Sequence, residues 1–190
     1  MKITNKLRTY SLILLIGFCV AFNPIRGDTI YEDIQLTATD SASGDEFGHS
    51  ISLDNGVAAI GAPFDDDNGT NSGSAYLFDV STGEQIVKLL PLDGVEGAEF
   101  GFSIAINNGI VAVGARADDE NGTNAGAAYL FDASTGNQLF KLTPNDAEPN
   151  DEFGNSIAID NDIVAVGAWR ADEHGDGSGA AYLFDATTGN

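Results

Sequence analysis

The residues best placed to do chemistry lie in three acidic loops: Asp65-Asp66-Asp67-Asn68-Gly69, Asp118-Asp119-Glu120-Asn121-Gly122 and Asp172-Glu173-His174-Gly175. Flexible, oxygen-rich segments suit calcium, and the ligands here would be Asp66, Asp67, Asp119, Glu120, Asp172 and Glu173. The spacing does not make an EF-hand cage. With each loop's glycine in the turn position of such a loop, the first ligand position falls on Phe64, Ala117 or Arg170, and no acid closes the far end. The alternative is an acidic, solvated turn whose Asp and Asn side chains bond to their own backbone. The expectation is therefore no obligatory cofactor, with calcium as the one cation the loops would take.

A second group in these loops is suited to recognition. Phe64, Arg116, Trp169 and Arg170 differ from copy to copy of an otherwise regular pattern. Aromatic and arginine side chains are the usual anchors of binding surfaces, so these four are read as ligand-binding residues. Catalysis has less support. The two histidines, His49 and His174, occupy unrelated positions, and there is a single cysteine, Cys19. No Ser/His/Asp, Cys/His or zinc spacing can be assembled from them. No phosphate-binding glycine loop of the G-x-x-x-x-G-K-[ST] type is present. The chain is read as a non-enzyme.

The elements that position these loops repeat. Phe47, Phe100 and Phe153 are 53 residues apart, as are Tyr76, Tyr129 and Tyr182, and the three copies align without gaps. Each copy reads as four strands. A short alternating strand such as Ser103-Ile104-Ala105-Ile106 is followed by Asn55-Gly56, Asn108-Gly109 or Asn161-Asp162, pairs that accept the positive φ of a tight hairpin. A second strand, the polar loop, a third strand and a Ser/Thr-Thr-Gly turn into a fourth strand complete the unit. The second and third strands are apolar on both faces, so both faces must be covered. Face-to-face stacking of four-stranded sheets about an axis does this. The expected fold is all-β: a β-propeller of four-stranded antiparallel blades, with three blades of about 53 residues visible.

The phase of the repeat adds a constraint. Residues 32–40 match a fourth strand, so the parsing is an orphan outer strand at 32–40, blade 1 at 45–92, blade 2 at 98–145 and an incomplete blade 3 at 151–190. Closed propellers have about 4–8 blades. The three blades are thus part of a larger ring, or of a ring closed when copies associate head to tail as a homo-oligomer. The larger ring is preferred on closure grounds.

Phe47-Gly48 followed by Gly61-Ala62-Pro63 resembles the FG-GAP repeat of integrin alpha subunits and of many secreted bacterial proteins. Phe100-Gly101 with Gly114-Ala115 and Phe153-Gly154 with Gly167-Ala168 continue it, without the closing proline. The resemblance covers residues 32–190 and implies a propeller used for extracellular recognition. The family's calcium loop between the first and second strands has no counterpart here, because that connection is only Asp54-Asn55-Gly56 and its equivalents.

Residues 1–21 read as a secretory signal peptide, with Lys2, Lys6 and Arg8 ahead of an apolar stretch ending at Ala21. Residues 22–31 follow as a linker. No other run is apolar enough to cross a bilayer, so no membrane insertion of the mature chain is expected. With 29 acidic against 8 basic residues the net charge is −21. That excess repels nucleic acid and anionic lipid, which need Lys/Arg clusters. The expected protein is secreted or extracellular, with the periplasm or cell surface as variants. Its expected role is a recognition or adhesion module binding an extracellular protein or glycan. The alternatives are the propeller part of an extracellular hydrolase, lyase or quinoprotein with its catalytic centre outside this chain, or an architectural spacer.

Overall fold

The computed structural model of the chain describes residues 34–190; the segments read as signal peptide and linker lie outside the described residues. Eleven strands follow in order: β1 Ser50–Asp54, β2 Val57–Ala62, β3 Ser74–Asp79, β4 Gln85–Leu89, β5 Phe100–Asn107, β6 Ile110–Ala115, β7 Ala127–Asp132, β8 Gln138–Leu142, β9 Phe153–Asp160, β10 Ile163–Ala168 and β11 Ala180–Asp185. They form antiparallel sheets β1-β2-β3-β4, β5-β6-β7-β8 and β9-β10-β11. The first two sheets are four-stranded propeller-type blades, and the third holds three strands. The hairpins turn where the sequence places them. Asn55-Gly56 and Asn108-Gly109 both take positive φ throughout, whereas in Asn161-Asp162 only Asn161 does. Aspartate carries a Cβ and avoids the φ near 80° that Gly56 and Gly109 adopt.

Each blade buries one face on the next. Ala75, Leu77 and Leu89 of blade 1 pack on Ile104, Ile106, Val113 and Phe131 of blade 2. Leu130 and Leu142 of blade 2 pack on Val164, Val166 and Phe184 of blade 3. This is the physical reason β2, β3, β6 and β7 are apolar on both sides: one face serves the preceding blade, the other the following blade. The inner strands β1, β5 and β9 run beside one another and are tied by polar side chains. The Ile106 amide donates to Ser52 Oγ at 3.1 Å and the Asn108 amide to Asp54 Oδ2 at 2.9 Å.

The Phe-Gly pair works as a plug between blades. In β5 the register jumps between Phe100, opposite Ala115, and Ser103, opposite Gly114. Gly101 and Phe102 therefore stand out of the ladder as a bulge, which re-aims side chains. Phe100 points inward and meets the rings of Tyr129 and Phe131 edge-on at 5.5 and 5.7 Å. Gly101 turns against blade 1, with φ 94°, and its carbonyl accepts from Ser50 Oγ at 2.8 Å. A side chain on Gly61 would overlap that carbonyl, so the second glycine of the motif is needed for close approach. Phe153 and Gly154 repeat the arrangement on blade 2, where Ser103 Oγ donates to the Gly154 carbonyl at 2.7 Å. Because Phe100 is fully buried, Phe100→Ala is expected to cost about 3–5 kcal/mol. The midpoint of a denaturant titration should fall accordingly; a change within experimental error would show that the plug is dispensable.

Residues 34–40 belong to no strand, although the repeat aligns them with β4 and β8. A strand is defined by its ladder, and no sheet lies beside this segment. It packs in front of blade 1 instead, with Leu36 and Ala38 against the cluster holding Ile60, Tyr76 and Phe78.

Candidate ligand-binding face

Two polar systems sit where the blade loops gather. The first is a node around a buried acid at the start of the first two acidic loops. Asp65 accepts hydrogen bonds from Ser74 Oγ at 2.8 Å, Tyr76 Oη at 3.0 Å and Lys88 Nζ at 3.1 Å. Lys88 also binds Asp40 at 2.8 Å. In blade 2, Asp118 accepts from Tyr129 Oη at 2.9 Å and Lys141 Nζ at 3.2 Å, and Lys141 reaches Asp93 at 2.6 Å. Burial alone would raise the Asp65 pKa, but bonds from Ser74, Lys88, the Asp67 amide and Tyr76 outweigh it and hold the carboxyl below its usual range. Burial opposes the charge of Lys88 and Lys141, yet their carboxylate and tyrosine partners raise both lysines well above the ordinary value. Burial likewise keeps Tyr76 and Tyr129 protonated.

The remaining carboxylates of the first two acidic loops also have protein partners. Asp66 and Asp119 accept from the Asn71 and Asn124 amides at 2.8 and 2.7 Å. Asp67 and Glu120 pair with Lys88 and Lys141. In blade 3 the buried acid is replaced by Ala171, and Glu173 instead accepts from Tyr182 Oη at 3.3 Å. Glu173 is pushed up by its hydrogen bond with Asp146 and by that neighbour's charge. Asp172 is exposed beside it. Among the described residues, no three His, Cys, Asp or Glu side chains come together to hold a metal ion.

The second system is a line of aromatic, basic and acidic side chains along the same end. It starts from Glu46, Glu99 and Glu152, which occupy one repeat position and all take φ between 52° and 56°. A non-glycine residue in this region is uncommon and is held there by its surroundings. Here the Glu99 amide donates to Asn71 O at 3.1 Å, and its carbonyl accepts from the Phe102 amide at 3.2 Å. Glu152 has the same pair of bonds, with Asn124 and Asn155. The left-handed turn aims the Glu99 and Glu152 carboxylates at the loop residues. Arg116 Nε donates to Glu99 at 2.7 Å, and its guanidinium lies 3.7 Å over the Phe102 ring. Phe102 in turn meets His49 at 4.7 Å, with Phe64 6.5 Å beyond. On the other side Glu152 accepts from Trp169 Nε1 at 2.8 Å and pairs with Arg170 at 3.0 Å. Arg170 sits 4.7 Å over the Trp169 ring.

All four residues expected to bind ligand, Phe64, Arg116, Trp169 and Arg170, are thus on one end, the last three joined through Glu99 and Glu152 and Phe64 reached through His49. Sequence reasoning missed the glutamates and the buried acids Asp65 and Asp118. A signal existed for the latter: Asp, Tyr and Lys recur together at Asp65, Tyr76, Lys88 and at Asp118, Tyr129, Lys141. Beside Trp169 and Arg170 lies an open cleft of about 530 Å³ that also includes Asn150, Asp172 and Asp176.

The bulge that carries Phe-Gly, and the glycine it presses on, are the features that place these loops. Residues 31–78, 84–131 and 137–184 each match the FG-GAP repeat. The chain belongs to the FG-GAP repeat family. The second and third units begin just before the fourth strand of one blade and run into the third strand of the next, so each of these two spans neighbouring blades. Among solved structures, the computationally designed Ika4 protein is similar at TM-score 0.55 and 18% identity, over 85% of this chain and 77% of Ika4. The likeness extends to the fold alone. The computationally designed Ika8 protein matches at TM-score 0.49 and 17% identity, over 76% of this chain and 34% of Ika8. No curated protein matches this FG-GAP chain.

Proposed function

We propose that this FG-GAP chain is a secreted, non-catalytic recognition module that binds an extracellular protein or glycan through its loop-bearing end. The observation that carries the reading is Trp169: 53% exposed, yet fixed by a hydrogen bond to Glu152 and by the stacked Arg170 at the edge of the cleft. An aromatic plane held rigid before binding loses little entropy on contact, which is the mark of a binding anchor. The position is free to vary, since Pro63 and Arg116 occupy it in the other blades. The framework around it repeats, as expected where a common scaffold carries individual contacts. Glu152 supports this by holding both Trp169 and Arg170 from a backbone position that resists rearrangement.

Arrays of glycans and of extracellular proteins, probed with the secreted chain, test the reading. Trp169→Ala is expected to weaken the best ligand at least about thirtyfold, the ~2 kcal/mol of a binding hot spot. Because Trp169 is at the surface, the melting temperature should stay within about 2 °C of the parent. Binding unchanged by Trp169→Ala and by Arg116→Ala would overturn the assignment of this end as the binding face.

A further inference from the structure

The turn at the tip of each acidic loop is the same in all three blades. The Gly69, Gly122 and Gly175 amides donate to the carbonyls of Asp66, Asp119 and Asp172 at 3.1, 3.1 and 2.8 Å. The three glycines take φ of 118°, 130° and 128°. The residue before the glycine is Asn68, Asn121 or His174, and the residue after it is Thr70, Thr123 or Asp176. Blade 3 makes the turn with neither asparagine nor threonine, so the turn does not require the pair that blades 1 and 2 carry.

Hydrogen bonding separates these side chains from ordinary turn residues. A turn asparagine commonly bonds its side chain to neighbouring groups of its own turn. Asn55 Nδ2 donates to Asp54 at 3.0 Å, and Asn161 Nδ2 to Asp160 at 3.1 Å. Asn68 enters its loop only through its main-chain amide, which donates to Ser72 Oγ at 3.1 Å, a bond almost any residue could make. Among the described residues, the side chains of Asn68, Thr70, Asn121 and Thr123 have no hydrogen-bond partner, and all four residues are exposed. Gly94 leaves the Asn68 amide nitrogen uncovered: a Cβ there would stand 2.8 Å from it.

Residues that the turn does not use still form a chemical pattern. Asn68-Gly69-Thr70 and Asn121-Gly122-Thr123 are N-x-[ST] triplets with a middle residue other than proline, the acceptor of asparagine-linked glycans. No other asparagine of the chain has Ser or Thr two residues on; Asn55-Gly56 and Asn108-Gly109 are followed by Val57 and Ile110. Some transferases demand in addition an acid two residues before the asparagine, and Asp66 and Asp119 stand there. In blade 3 asparagine and threonine are both replaced, so the triplet is whole or absent.

We propose that Asn68 and Asn121 carry asparagine-linked glycans on the exported chain. The inference rests on the secretion proposed above, because such transfer takes place along the export route. The donor is an oligosaccharide on a lipid diphosphate. The asparagine Nδ2 forms a bond to the anomeric carbon as the bond from that carbon to the diphosphate oxygen breaks. The lipid diphosphate leaves with the electron pair, and Nδ2 gives up one proton. The glycans stand on the loops of blades 1 and 2, and the blade that carries Trp169 has no acceptor.

Mass spectrometry of the full chain, recovered from the cells that naturally make it, tests this. In the exported fraction (medium, periplasm or cell surface) the intact mass should exceed that of the polypeptide by two glycans. Peptide fragmentation should place sugar on Asn68 and Asn121, with Asn55 and Asn108 bare as Asn-Gly controls. Thr70→Ala should remove one glycan and Thr123→Ala the other, whereas Thr70→Ser keeps the hydroxyl and should keep both. These variants should be exported like the parent, because both threonines are exposed and blade 3 makes the same turn with Asp176 in their place. An exported chain at the bare polypeptide mass overturns the proposal and leaves secretion standing. A bare chain held in the cytoplasm overturns both. Sugar that persists on Asn68 in Thr70→Ala overturns the assignment of the triplet as the acceptor.

Discussion

Gly114→Ala is expected to part blade 2 from blade 3. The new methyl group would overlap the carbonyl of Gly154, which is backbone of the neighbouring blade and has nowhere to go. Ser103 Oγ, which donates to that same carbonyl, would be displaced as well. Replacing glycine within a strand normally stabilises by about 0.5–1 kcal/mol, because the unfolded chain loses freedom. Here the overlap is with fixed atoms rather than a flexible side chain. The overpacking cost should therefore exceed that gain and reach about 3 kcal/mol. Hydrogen exchange is the discriminating measurement. Amides of β9 and β10 should lose protection while those of β2 and β3 keep it, since the joint between blades 1 and 2 is untouched. Uniform loss across all blades would mean that the stack folds as one indivisible unit. No loss would mean that the blades have slack the geometry does not reveal.

Lys141→Met is expected to destabilise by about 3 kcal/mol at neutral pH, several times the value of a surface ion pair. The ammonium is mostly buried and bonds Asp93, Asp118 and Glu120. Methionine would keep the stem packed but leave three carboxylates facing one another, one of them buried. The pH dependence separates charge from packing. In the parent, Asp93 titrates below its usual range: burial raises it, but the bonds and charge of Lys141 more than offset that. A carboxyl lowered in the folded state adds stability that is present at neutral pH and lost as pH falls below about 4. Lys141 is raised, so its contribution persists up to about pH 10 and is lost as pH rises further. In the variant the cation is gone and acid relieves the repulsion. The gap between parent and variant should thus narrow steadily as pH falls from 7 towards 4. A gap independent of pH would assign the loss to packing alone.

Much of this was legible in the residues because it is a matter of periodicity. Alternation in Ser103 to Ile106, doubly apolar middle strands and Asn-Gly pairs at fixed spacing leave few architectures open. They gave the blades, their hairpins and the end on which Phe64, Arg116, Trp169 and Arg170 gather. The acidic loops were harder to read. Asp65 and Asp66 are identical neighbours in the chain, but the first is buried on Tyr76 and Lys88 and the second is exposed and bonds a loop amide. Composition cannot separate them, because burial depends on a tyrosine and a lysine that come from strands further along. The turning of Glu99 and Glu152 was equally hidden. Glutamate has no preference for positive φ; the bonds from neighbouring loops impose it.

What the residues alone determined is the repeated unit: its strands, its turns and the requirement that every blade be covered on two sides, since apolar area exposed on both faces of a strand is unfavourable in water. What the tertiary structure decided is which groups meet across those blades. Gly101 meets the preceding blade because a bulge lifts it out of its own sheet, and a buried acid finds its lysine because the outer strand returns beside the third. Both outcomes come from atoms far apart in the chain brought within hydrogen-bonding distance, and no local pattern of residues encodes such a distance.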